Sequence, residues 1–141
     1  MRNHHLVILK KPYLDAIIEG RKTIESRFTK SRQPYFGQIH PGDEIFLKLS
    51  SGPVCAVATA QAVRQFENLT PGEIQRLKTQ YNRSILGENG YWESKRDCKY
   101  GVLIRLADVR RTKPVFINKH DWRAWVVLTE KENFGLLKKA R

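Results

Sequence analysis

The stretch that most constrains the fold runs from residue 12 to residue 28, because the period of its apolar residues changes once, at a glycine. Leu14, Ile17 and Ile18 recur at helical spacing behind Pro12, which suits a first helical position, and Gly20 supplies the left-handed cap that ends such a helix. Beyond it the period is two. With residues 23–28 extended, Ile24, Ser26 and Phe28 share one face and Thr23, Glu25 and Arg27 the other. Ile24 and Phe28 then point to a core. The opposite face carries a hydroxyl, a carboxylate and a guanidinium in a row, with the Lys22 ammonium at the strand's entrance, a set that a plain sheet face seldom needs.

The rest of the chain reads as short strands with few helices. Leu6, Val7, Ile8 and Leu9 form an apolar run long enough for a buried strand and too short for a helix. Residues 29–40 have no steady period and read as a loop beside the charged strand. That loop sets Lys30 and Arg32 near Tyr35 and Phe36, a mixture of cations and rings suited to nucleic acid, although the rings serve equally to plug the end of a barrel. A Pro41-Gly42-Asp43 turn leads to a strand over 44–49, a second turn over 50–53, and a strand of small and β-branched residues from 54 to 66. Thr70, Pro71 and Glu73 spell a capping box that opens a second helix with Ile74, Leu77 and Tyr81 on its apolar side. Residues 84–99 read as a long loop or irregular helix. A strand over 100–106, a basic knot of Arg110, Arg111 and Lys113, an extended segment over 114–117 and a last strand over 122–128 follow. A frayed basic terminus closes the chain at residues 138–141.

The Gly20, Lys22, Thr23, Glu25, Arg27 pattern after a strand and a helix resembles the motif of the ASCH domain, a module of the PUA-like superfamily. The resemblance extends over about residues 5–110 and includes the Pro41-Gly42-Asp43 turn. It implies an α+β fold, a small PUA-like β-barrel of mostly antiparallel strands with two or three flanking helices, whereas periodicity alone supports only a mostly antiparallel α+β sheet. Residues 1–141 are expected to form one domain, with 111–141 a C-terminal extension completing the barrel. The resemblance also implies a cleft that holds RNA or a nucleoside. Its candidate binding residues are Arg21, Lys22, Thr23, Glu25, Arg27, Lys30, Arg32 and Tyr35. An alternative is a hydrolase, either a ribonuclease or similar to the N(4)-acetylcytidine amidohydrolases, with Lys22 and Glu25 as candidate catalytic residues. The amidohydrolase resemblance asks for a motif lysine, a nucleophilic threonine three residues later and a distant glutamate. Lys22 matches; Glu25 stands in the threonine's place, and Glu67 or Glu73 falls in the region of the distant glutamate. A third reading is a coactivator-type adaptor that binds protein.

Charge separates these classes in part. Twenty-six Lys and Arg against 14 Asp and Glu give +12, a field that favours a polyanionic partner through counterion release. No apolar run approaches a membrane span, and the N-terminus has no signal-peptide core, so a cytoplasmic protein is expected. Cys55 and Cys98 are isolated from each other and from any histidine at ligand spacing, which argues against a zinc site and for two reduced thiols. No cofactor is expected. His4, His5, His40 and His120 lie outside the motif.

Overall fold

The computed structural model describes residues 2–139, and in it the change of period at Gly20 is built as a Schellman cap. β1 (His4–Leu9) leads into α1 (Lys11–Ile18), with Pro12 in the first turn. At its end Gly20 takes φ +81°. The Gly20 N–H donates to the Ile17 carbonyl at 3.1 Å and the Arg21 N–H to the Ala16 carbonyl at 2.9 Å, satisfying carbonyls that the last turn would leave orphaned. β2 (Ile24–Thr29) starts four residues later.

β3 (Glu44–Leu49) and β4 (Val54–Phe66) form a hairpin, and α2 (Pro71–Ile85) opens on the Thr70–Glu73 capping box. After α3 (Asn89–Ser94) come β5 (Tyr100–Val115), β6 (Trp125–Leu128) and the single turn α4 (Leu136–Lys139). The strands form one sheet in the order β2-β5-β4-β3-β1-β6. β1 and β3 run parallel, and the other neighbours are antiparallel. The α+β fold with a mostly antiparallel, curled sheet that the resemblance implies is therefore present, as a half-barrel. β4 and β5 are long and their pairing slips register at three places, and such bulges bend and twist a sheet. β2 and β6, the two ends of the order, do not pair with each other, so the curl keeps an open seam.

Three apolar clusters fix the curl. Val7, Leu9, Ile45, Leu47, Ala58, Val102 and Ile104 line its concave side under α1 and the 29–40 loop, where Tyr35 and Phe36 are both buried. On the convex side Ile24, Phe28 and Leu103 pack under α2 and α3, and Leu6, Phe46 and Val126 pack with Leu136. Cys55 and Cys98 are free thiols whose pKa values burial pushes up.

The structure departs from the sequence reading in two elements and resolves the alternatives left open in a third. The strand over 100–106, the basic knot and the extended segment after it are one strand, β5, because Asp108 takes φ 51° beside a register shift and carries the strand through a bulge. The last strand starts at Trp125, not at residue 122, since residues 118–124 are tied into a loop by Asp121. Residues 84–99 contain the short helix α3, seated by the buried Trp92, whose indole N–H donates to Asn82 Oδ1 at 2.9 Å. Of the basic terminus, Ala140, Arg141 and the side chains of Lys138 and Lys139 lie outside the described residues. β2 accompanies β5 only along residues 100–105, so from residue 107 onward β5 has β4 on one side and, among the described residues, no strand on the other. Arg110, Arg111, Lys113 and Pro114 are exposed on that stretch. Among the described residues no helix is long and apolar enough to cross a membrane.

Candidate functional site

Period two decides which residues share a face, and the curl decides which face is inside. Ile24 and Phe28 pack outward under α2 and α3. Glu25 and Arg27 pair across the ladder with Ile104 and Val102, two residues of the concave cluster. The polar row of the motif therefore lies on the inner side of the half-barrel, at the edge strand that borders the seam.

The seam is a cleft of about 1410 Å³. One wall is β2, and the other comes from Ile8 of β1 and Trp125 of β6. Arg27 spans it: its Nη2 donates to the Ile8 carbonyl at 3.1 Å while the guanidinium lies 5.6 Å from the Trp125 ring. Trp125 in turn stacks on Tyr35, with ring centroids 5.1 Å apart and planes at 30°.

Glu25 is 6% exposed. Its Oε1 accepts the Ser26 N–H at 2.9 Å. Its Oε2, 3.7 Å from Arg27 Nη2, accepts no hydrogen bond from any described residue. A buried carboxylate oxygen without a donor is costly, of order 1–3 kcal/mol or more, and this one lies at the wall of an open cleft.

Lys22, 3% exposed, is engaged differently. Its Nζ donates to the Ile24 carbonyl at 2.8 Å and to the Ile85 carbonyl at 2.5 Å, and stands 4.0 Å from Glu25 Oε1. Burial pushes the ammonium's pKa down against the pull of Glu25, and the Arg27 charge adds to the lowering. The ammonium thus ties the start of β2 to the end of α2.

Of the other candidate binding residues, only Tyr35 lines the cleft. Arg21 turns to Glu19 at 3.2 Å on the surface. Thr23 joins β2 to its surroundings through its backbone, its N–H donating to the Ser84 carbonyl and its carbonyl accepting the Leu106 N–H. Arg32 pairs with Glu67 at 3.1 Å and covers the Phe36 ring, and Lys30 is exposed away from the cleft. Glu73 is spent on the helix cap. Neither Glu67 nor Glu73 lines the cleft; besides Glu25, its carboxylates are Glu88, just before α3, Asp121 and Glu132.

Sequence reasoning missed Tyr13, Tyr91 and Trp125 as lining residues. Tyr91 shares a 2.7 Å hydrogen bond with Ser26 Oγ, and burial pushes its phenol well above the usual range. A tyrosine in a stretch without periodicity gives no warning of this. Trp125 is held from behind. Its indole N–H donates to His5 Nδ1 at 3.1 Å, which leaves the His5 proton on Nε2, donating to Asp43 Oδ2 at 2.8 Å. Burial lowers the His5 pKa. Burial alone would raise the Asp43 carboxyl, but hydrogen bonds from His5, His40 and Asn3 hold it below its usual value.

A model of the ASCH domain matches residues 7–133 of the chain. Among solved structures, the crystal structure of ASCH from Zymomonas mobilis is similar at 17% identity and a TM-score of 0.75, covering 100% of this chain and 98% of that one. Two mutants of the Zymomonas protein align at TM-scores of 0.73 and 0.71, with 16% and 18% identity. They cover 99% and 96% of this chain, and 100% and 95% of theirs. At such identities these likenesses speak for the fold. No curated protein matches the chain.

Proposed function

Because the chain belongs to the ASCH domain family, of the PUA-like superfamily, we propose that its seam cleft binds RNA or a nucleoside through an amino-bearing base. The observation that carries this is Glu25 Oε2, buried, facing the cleft and lacking a donor. It is matched to an exocyclic amino group such as cytosine N4, the contact a carboxylate makes in reading that base. Arg27, with one Nη2 bond given to Ile8, keeps N–H groups for the neighbouring ring nitrogen or carbonyl. Tyr35 and Trp125 supply an aromatic wall, and the net charge of +12 favours the phosphates of a strand.

Binding is favoured over hydrolysis. Acyl transfer needs an activated nucleophile, and the hydroxyl beside Glu25 is that of Ser26, bonded to a tyrosine whose raised pKa makes it a poor base at neutral pH. The Lys22 ammonium is occupied by two carbonyls.

The test is calorimetric titration of cytidine and uridine into the protein and its Glu25→Gln variant. The native protein should prefer cytidine, and the variant, which offers a neutral amide, should lose that preference by roughly tenfold, the worth of one charge-assisted bond. Equal binding of both nucleosides by the native protein would refute the role given to Glu25.

A further inference from the structure

We propose that Trp122 is a second base-stacking platform at the rim of the cleft, so that the ligand is a single-stranded RNA of at least two nucleotides; this rests on the reading above and extends it. Trp122 is 100% exposed, whereas Trp92 and Trp125 are 4% and 5% exposed. It borders the same cleft as Glu25, Arg27 and Trp125. An indole left wholly in water gains nothing for folding, so the fold supplies no reason for its type.

The ring's place is set by a tight ionic loop. The Asp121 carboxylate accepts Lys119 Nζ at 2.7 Å, Arg123 Nη2 at 2.7 Å and the Arg123 backbone N–H at 2.9 Å. Lys119 also donates to the Asp121 carbonyl at 2.9 Å, and Arg123 reaches on to Glu132. These bonds bracket Trp122 on both sides in the chain, so the backbone that carries the ring is held at the rim of the cleft. The chain on both sides of the ring is held, and an indole with two rotatable bonds needs little ordering on binding, which is what makes such rings effective anchors.

Two further observations choose the occupant. The cleft, at about 1410 Å³, exceeds the roughly 300–1,000 Å³ of a site for one small ligand. The other large apolar side chain left exposed among the described residues, Phe116, does not line it. A protein partner would need a wider apolar patch than one indole. A strand whose phosphates answer the net charge of +12, with one base at Glu25 and its neighbour on Trp122, accounts for both the ring and the space.

The experiment compares cytidine with a six-nucleotide oligocytidylate RNA as ligands of the native protein, Trp122→Ala and Trp122→Phe, with sedimentation run on each. The alanine variant should bind the hexamer roughly 5- to 150-fold more weakly, the range of one lost base stack, while its affinity for cytidine stays unchanged and phenylalanine restores most of the loss. Hexamer affinity untouched by the alanine variant, or cytidine affinity lost with it, overturns the platform. So does a shift in sedimentation on losing the ring, which would make it a contact between copies of this chain. If the native protein binds cytidine and gains nothing from the longer strand, only this inference fails. If it binds neither, the cleft reading itself fails.

Discussion

Replacing Lys22 by methionine keeps the stem of the side chain as far as Cε and removes the ammonium, so it isolates what that group does for the fold. The ammonium donates to the carbonyls of Ile24 and Ile85. Two such bonds from a charged donor are worth about 1.5–3 kcal/mol each, or about 3–6 kcal/mol together. Part of this is returned, because the downward push of burial on the Lys22 pKa shows that the charge itself is disfavoured there. A loss of about 3–4 kcal/mol remains, near the lower end of the range for removing one partner of a buried charge pair. For a chain of this size that is about 10–15 °C in Tm. Thermal and urea unfolding followed by circular dichroism measure it. A Lys22→Met protein that melts within about 3 °C of the native one would refute the reasoning and return Lys22 to the role of a ligand's counter-charge.

Two further outcomes are expected. The His5 pKa is lowered by burial in the fold against about 6.5 when unfolded, so the unfolded chain binds more protons in the window between the two values. Its contribution is therefore whole above pH 6.5 and lost as pH falls towards the lowered value, by at most about 1.4 kcal/mol per pH unit. Asp43, His4 and His40 are the titratable neighbours acting on it. Urea midpoints at pH 7 and pH 5.5 should show that slope, and His5→Gln should flatten it; identical slopes would dismiss His5. At Gly101 an added Cβ would stand 2.7 Å from Phe28 Cε1 and 3.2 Å from Leu69 Cδ1. Gly101→Ala should cost about 1–3 kcal/mol of stability by overpacking, and a neutral result in urea unfolding would show that the Phe28 ring yields freely.

What was legible in the sequence was local. The glycine that ends α1, the capping box of α2 and the sharing of a face by Glu25 and Arg27 all follow from residues within a few positions of one another. The inwardness of that face does not, since alternation is symmetric and the choice is made by the curl and by the place of β2 at its edge. Tyr91 and Trp125 reach the cleft by pairings with Ser26 and His5 across 65 and 120 positions, and no spacing rule spans that distance. Lys22 was visible as a charge near the site, but the carbonyl of Ile85 that claims it comes from another element.

The unaccompanied stretch of β5 bears on how the protein tolerates crowding. An uncovered strand edge is a template on which a second copy can continue the sheet and begin an aggregate. Here that edge carries Arg110, Arg111 and Lys113, and Pro114 has no N–H to offer. Two copies meeting there would bring like charges together along a broken line of donors, and the growing ribbon would stall at its first step. Part of the basic excess that suits a polyanion thus serves colloidal safety whether or not any RNA is present, and neutralising those three cations would expose the protein to its own copies.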